Sequence, residues 1–417
     1  MALSIKEKLK QLDKTISEAK PAVAENSSQE QRFDLIGGKL IRTATGQVVV
    51  REKSFPLEFI HGPNQLEELL KMDSEYFAYV GKDTALTNLD IRTSVFIDTE
   101  TTGLAGGAGT YAFLIGIGYF TGNSFLVKQL FMPDYHNEPA VLALLAAELR
   151  TRSAFISYNG KAYDIPILKS RFVLNRLSFQ DDNYLHLDLL HAARRLWKRN
   201  LGECTLQNIE RHILGFQRHD DIPGYEIPQK YFDYLYSKDV SSLLPIFKHN
   251  AMDILSLVSI TLSAGRVFDK CEYPSDSTAV MKTFSHLGDV KRSKQFMRNS
   301  AFQTQEVLCA LYQARLFKRM SLLKDAEKQW LWLIEQSRDF HIEPYIELAK
   351  LYEHNYRNIS KALEIVNRLE ERLQIRHELF SLNEHKYLTN ITHRKNRLNR
   401  KLRNQNLTGG KEKEKVP

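Results

Sequence analysis

Five residues in this chain have the type and spacing to do chemistry together: Asp98, Glu100, Asp164, His249 and Asp253. The run Phe96-Ile97-Asp98-Thr99-Glu100-Thr101-Thr102-Gly103-Leu104 opens with strand-forming apolar residues and ends in polar ones. Residues two apart on a strand share a face, so Asp98 and Glu100 present paired carboxylates side by side. The apolar lead-in buries the strand, while its C-terminal end meets solvent, where open α/β sheets bind ligands. Adjacent carboxylates repel unless cations lie between them, and hard oxygen donors suit Mg²⁺ or Mn²⁺. Asp164, in Tyr158-Asn159-Gly160-Lys161-Ala162-Tyr163-Asp164-Ile165-Pro166, sits between a second apolar run and a helical pattern. Asp253 ends His249-Asn250-Ala251-Met252-Asp253 inside a further helical pattern, with His249 four residues before it and so on the same helical face. Four acids and a histidine are what two-metal phosphodiester hydrolysis requires. One ion generates the nucleophile and the other stabilises the leaving oxygen, the two standing ~3.5–4 Å apart. His249 is then the candidate base for the attacking water.

The elements that must position these groups alternate between strands and helices. Residues 93–97, 111–120 and 125–131 are strand-like, the last two joined by Thr121-Gly122-Asn123-Ser124 as a hairpin. A helix follows over 138–150 with Pro139 in its first turn, then a strand over 154–158 and a helix from about 166 to 177. Residues 185–187 read as a short strand leading into a helix that runs to Trp197, and 249–262 as a helix. An antiparallel opening followed by alternation predicts a mixed α/β sheet. Upstream, 3–20 read as an amphipathic helix, 21–31 as a polar linker, 46–50 as a strand and 65–71 as a helix. Residues 200–248, with Pro223-Gly224 and Pro228, read as irregular.

Past Gly265 the β pattern ends. Residues 308–336 and 344–373 form two helical-hairpin units: Ala314 and Phe317 match Ala349 and Tyr352 at an offset of 35, and Ala326 matches Ala362 at 36. That is close to the 34-residue tetratricopeptide period, with one residue inserted in the second unit. A degenerate unit around 279–300 would help to cover the ends. The chain carries a net +8, but residues 391–417 hold nine Lys/Arg against two Glu, so +7 lies in this tail and +1 in the rest. The tail reads as the basic end of a helix, able to hold phosphates by charge or simply to solubilise. Three scattered cysteines argue against a disulfide framework or zinc site, and no run reaches the ~18 apolar residues of a bilayer span. A cytoplasmic protein without a membrane partner is expected.

FIDTETTGL resembles the first motif of DnaQ-like (DEDD-type) 3′–5′ exonucleases, which have a ribonuclease H-like fold; YNGKAYDIP resembles the second motif and HNAMD the third. More specifically the chain resembles the bacterial YprB-like family, a ribonuclease H-like exonuclease domain followed by tetratricopeptide repeats. GLAGGAGTYAFLIG, LDLLHAARRLW, TLQNIE and RHDDIPGYEIP support this, and the likeness runs over roughly residues 35–385. It implies an α/β ribonuclease H-like mixed sheet with flanking helices at 93–265, preceded by an N-terminal helix and linker (1–31) and an extension packed on the domain (32–92). An all-α tetratricopeptide-like domain (275–385) and a basic tail (386–417) would follow. It implies ligation of two Mg²⁺ or Mn²⁺ ions by Asp98, Glu100, Asp164 and Asp253, with Asp98 touching both. Thr101, Thr102, Gly103, Leu104 and Asn159 would contact a single-stranded DNA or RNA end, and the repeats a protein partner. One departure concerns the base. The family spacings are Tyr-x3-Asp or His-x4-Asp, whereas His249 and Asp253 are His-x3-Asp, a difference of about 100° around a helix.

Other features read as structural. Gly106–Gly109 lacks the G-K-[ST] of a phosphate loop. Asp188 starts a helix rather than joining His186 and His191 in a metal site. His219-Asp220 lacks the further histidines of a phosphohydrolase, and Tyr225, Tyr231, Tyr234 and Tyr236 are expected at a core edge rather than under bases. Two rival functions stand beside the exonuclease: a non-catalytic scaffold acting through its repeats, and a structure-selective endonuclease on the same fold. Clustered acids that repel phosphates serve neither a scaffold nor a binding module.

Overall fold

Aromatic and β-branched runs build the first part of the molecule around one sheet. The computed structural model describes residues 31–103, 109–179, 184–269, 276–298, 306–337, 340–380 and 385–411. The expected N-terminal helix and linker, Leu104, most of the glycine run after it and the Lys/Glu end fall outside these residues. The chain divides into two compact units, Met1–Pro274 and Ser275–Pro417.

In the first unit the strands are β1 (Gly38–Thr43), β2 (Gly46–Pro56), a short hairpin of β3 (Ile60–His61) and β4 (Asn64–Gln65), β5 (Ser94–Thr101), β6 (Ala112–Phe120), β7 (Ser124–Phe131), β8 (Ala154–Ser157) and β9 (Leu185–Asp188). Seven of them form one sheet in the order β1-β2-β7-β6-β5-β8-β9. The first five of these pair antiparallel, and β8 and β9 add in parallel. This is a mixed sheet with flanking helices, as the pattern predicts. Every residue of β6 is buried, which explains its unbroken apolar run. Residues 32–92 are more than an appendage: they supply β1 and β2 to the sheet, and β2 runs on to Pro56, beyond the predicted strand at 46–50. The outer half of β2 carries charged residues at an exposed face, so apolar content alone does not reveal it.

Residues 200–248 are not irregular. Helices Leu206–His212 and Ile227–Ser237 lie there, and the helix expected at 249–262 spans Leu244–Asp269. Pro228 and Pro245 sit in first turns, where the missing N–H has no intrahelical partner to lose, so they begin helices instead of breaking them. The 26-residue helix Leu244–Asp269 is long and apolar enough to cross a bilayer, yet 89% of its most apolar window is buried in the unit. It packs on β5, β6 and β7. The β3–β4 hairpin grips it further along: Asn64 Nδ2 donates to Ser259 O (3.0 Å) and Ser263 Oγ (2.9 Å), and Ser259 Oγ donates to His61 O (2.8 Å).

The second unit is helical. Helices Glu306–Arg319 and Leu323–Gln336 form one hairpin, and Ile342–Lys350 with Ile359–Phe380 the next. Ala314, Phe317, Ala326, Ala349, Tyr352 and Ala362, the matched positions, are all buried in one core with Trp330. The inserted residue lies between Tyr352 and Ala362, and Leu351–Asn355 there is a π-turn, the form in which a helix absorbs one extra residue. Helices Ser277–Leu287 and Val290–Arg298 precede these hairpins, where the degenerate unit was expected. The basic segment is helical, as read: His385–Lys411 is a helix whose Ile391 and Leu398 enter the same core.

Candidate active site

β5 carries Asp98 and Glu100 past four buried residues, Ser94 to Ile97. A bulge between Glu100 and Thr101 then turns the strand end. Asp98 is held from the long helix: Asn250 Nδ2 donates to Asp98 Oδ2 at 2.9 Å. The amide's orientation is fixed behind it. Gln129 Nε2 donates to Asn250 Oδ1 and to Phe247 O, both at 2.9 Å, and Arg51 Nη1 donates to Gln129 Oε1 at 3.1 Å. Gly116 stands opposite Asp98 in the sheet, and a Cβ there would lie 2.1 Å from Asn250 Oδ1. Glycine at that position makes the Asn250 approach sterically open.

Asp164 opens the helix Asp164–Leu174 and is buried. Its Oδ1 accepts from Thr99 N (3.0 Å) and Thr99 Oγ1 (2.5 Å). The turn before it is tight: a Cβ on Gly160 would meet Ser157 Oγ at 2.4 Å. Asp188 holds the same turn, accepting from Asn159 N (2.8 Å) and Lys161 N (3.0 Å) while capping the helix Leu189–Leu196 through Leu190 N (3.0 Å). It is a helix start, as expected, and His191 is exposed.

Asp253 and His249 come from one face of the long helix, with His249 Nε2 3.4 Å from Asp253 Oδ2. His249 Nδ1 lies 2.9 Å and 3.0 Å from the two oxygens of Asp221. One buried arginine links this side of the site. Arg218 donates to Glu210 (Nε to Oε2, 2.8 Å; Nη2 to Oε1, 2.5 Å), to Asp221 Oδ2 (3.1 Å) and to Asp253 Oδ1. Glu210 also accepts from Ser256 Oγ.

Burial pushes Asp98 well above the ordinary carboxylate range, and the charges of Asp253, Glu100 and Asp164 push it further, against the Asn250 hydrogen bond. Burial raises Glu100 to about 8 and Asp164 to about 6. For His249, burial opposes the charged ring, but Asp253, the Asp221 hydrogen bond and Glu100 outweigh it and lift it to about 9. Negative charge is therefore crowded beyond what the chain's own cations offset. Glu100 Oε1 is buried with no hydrogen-bond partner, and single ligand atoms of Glu100, His249 and Asp253 all lie within 4.8 Å of one another. An orphaned carboxylate oxygen in such a group fits a divalent cation.

A cavity of ≈ 380 Å³ opens beside Glu100, lined also by Thr99, Thr101, Asn159, Tyr163, Gly224, Ile227 and Pro228. Of the expected substrate contacts, Thr101 and Asn159 line it. Thr102 and Gly103 brace the strand end: Thr102 Oγ1 accepts from Tyr111 N (3.0 Å), and Gly103 O accepts from Tyr163 OH (2.7 Å) and Thr101 Oγ1 (2.9 Å). Tyr231 and Tyr234 are buried, whereas Tyr225 and Tyr236 are exposed. His219 and Asp220 are exposed.

The residues that motif reading passed over are the supporting ones: Asn250, Gln129, Arg218, Glu210 and Asp221. Asn250 lies inside HNAMD, Glu210, Arg218 and Asp221 lie inside TLQNIE and RHDDIPGYEIP, and Gln129 lies in the strand-like run 125–131. A signal existed for Glu210, an acid on the buried side of a short helix beside Ile209.

The RNase_H superfamily family model matches residues 95–263. Uncharacterized protein YprB of Bacillus subtilis (strain 168) is 31% identical over 386 residues, which is 87% of this chain and 92% of that protein.

Proposed function

Because the chain belongs to the YprB family and its acids lie in a ribonuclease H-superfamily domain, we propose that it is a metal-dependent nuclease, most specifically a DEDD-type 3′–5′ exonuclease acting on single-stranded ends. The observation that carries this reading is the orphaned Glu100 oxygen among Asp98, Asp164, Asp253 and His249. Asp98, Glu100, Asp164 and Asp253 would hold two divalent cations, Mg²⁺ or Mn²⁺. Such cations supply, when bound, the charge that polarises a phosphodiester and eases formation of a nucleophile from water.

The chain's own residues do the rest. Asn250 and Thr99 hold Asp98 and Asp164 in place by hydrogen bonds to one oxygen of each. Asp221 accepts a hydrogen bond from Nδ1–H of His249, which leaves Nε2, 3.4 Å from Asp253, as the candidate proton acceptor. The His-x3-Asp spacing therefore still brings the ring to the acids. The raised affinity of His249 for its proton comes from those same carboxylates, so neutralising them frees the ring to accept. Thr101, Asn159 and Tyr163 would receive the terminal nucleotide in the cavity beside Glu100. The helical hairpins of the second unit are read as tetratricopeptide-like repeats that recruit a protein partner.

The test is digestion of paired 5′-labelled DNA and RNA strands with and without Mn²⁺. Shortening from the 3′ end is expected, and Asp98→Ala and Asp253→Ala should each reduce it by at least about 10³-fold while leaving the fold intact. Cleavage that survives both changes would refute the site. Internal cuts on a circular strand would replace the exonuclease reading with the endonuclease one.

A further inference from the structure

We propose that the outward row Arg397, Arg400 and Arg403 is a phosphate-holding surface for single-stranded nucleic acid, separate from the acid cluster. The inference rests on the reading of nucleic acid as substrate. The helix His385–Lys411 contains eight Lys/Arg and no Asp or Glu. Its apolar side is already used: Ile391 and Leu398 are buried in the core, and Leu402 packs against it. A membrane-surface helix needs that side for lipid, so a bilayer is a poor match.

The packed side also consumes only part of the charge. Buried Glu353 accepts from Arg397 Nη2 (2.6 Å), Lys401 Nζ (2.7 Å) and Arg394 Nη1 (3.4 Å), and Glu370 accepts from Lys395 Nζ (2.5 Å). Four cations thus face two carboxylates, and Arg400 and Arg403 stand exposed beyond them. Arg397 keeps 46% of its side chain exposed despite its ion pair. Spacing of three residues places the row over about 9 Å of helix, a length over which a stacked strand carries roughly three phosphates. Guanidinium groups bind phosphate through paired N–H donors, which favours a phosphate backbone over scattered carboxylates. The core contacts and Glu353 hold the helix still, so the row is presented in order and not as a loose tail.

The experiment is fluorescence anisotropy of a labelled 20-nucleotide strand on the full chain in EDTA, where no hydrolysis intervenes, between 50 and 200 mM salt. Each phosphate contact adds about 0.7 to the salt slope, so R397Q/R400Q/R403Q should lower it by about 2. Over that fourfold salt range the unaltered chain should lose about 20-fold more affinity than the variant. R400Q/R403Q keeps the Glu353 pair and should lower the slope by about 1.4. Unchanged slopes for both variants overturn the proposal, as does competition by polyglutamate equal to that of nucleic acid of the same charge. If the unaltered chain fails to bind the strand at 50 mM salt, the nucleic-acid reading itself falls. Binding with unchanged slopes removes only the surface.

Discussion

Metal binding at the acid cluster should release protons, in an amount set by the site. Burial holds Glu100 at about 8. At pH 7 it is therefore about 0.9 protonated and at pH 9 about 0.1. Asp98 is raised in the same direction by burial and by its three acidic neighbours. Asp164, at about 6, contributes about 0.1 proton at pH 7. A divalent ion needs the deprotonated oxygens, so saturating Mn²⁺ at pH 7 should displace at least about one proton per chain. The Glu100 share should fall by about 0.8 between pH 7 and pH 9. Because the acids interact, the release belongs to the cluster and not to one carboxyl. Titration calorimetry in buffers of different ionisation enthalpy measures it directly.

The same shifts fix how metal-free stability follows pH. Glu100 and Asp164 have folded values above their ordinary 4.5 and 3.8. Their stabilisation is complete below those ordinary values and is lost as pH rises through about 6 for Asp164 and about 8 for Glu100. His249, lifted from 6.5 to about 9, loses its contribution over the same rise. Asp221, shifted downward, keeps its contribution across this window and loses it only in acid. The unfolding midpoint of the metal-free chain should therefore drop between pH 6 and pH 9, and Mn²⁺ should raise it more at the alkaline end. Binding of Mn²⁺ without proton release at pH 7, or stability that climbs across this window, would refute the crowding of charge inferred from the burial of these acids.

Two substitutions test the support behind the acids. Arg218→Gln strands Glu210, whose side chain is 1% exposed, and releases Asp253; breaking such a buried pair costs about 3–5 kcal/mol, read from the denaturant midpoint. Gly116→Ala drives a methyl into Asn250, and about 1–3 kcal/mol should be lost together with a rise in the Mn²⁺ concentration for half-maximal cleavage. Gly122→Ala, which meets nothing within 4 Å, is the matched control and should do neither.

The acids were legible because each interrupts an apolar pattern. Asp98 and Glu100 end a buried strand, Asp164 follows one, and Asp253 lies in a helix whose neighbours are otherwise apolar. Their partners were not, because their meaning lies in pairing across distance. Gln129 and Asn250 are 121 residues apart, and Arg218 meets Asp253 across 35; each looks like an ordinary polar residue in its own segment. The outer half of β2 was hidden for a related reason. Its charged residues face outward, and only its register with β7, Arg51 opposite Gln129, makes it a strand. Proline misled at Pro228, which starts a helix, since position within a helix and not residue type decides its effect.

The uneven charge along the chain follows from what each part must do. Among the described residues, Asp98, Glu100, Asp164, Glu210, Asp221 and Asp253 are met by one arginine, Arg218, and one histidine, His249. Lysines added there to attract a polyanion would pair with the acids and compete with any divalent ion. Attraction for phosphate has to come from residues outside the cluster, where the desolvation that raises Asp98 and Glu100 does not apply. An acid-free helix with a packed apolar side and an exposed arginine row meets that requirement. Capture and cleavage should then respond to different perturbations: salt should weaken the first within a few hundred millimolar, whereas chelation should stop only the second.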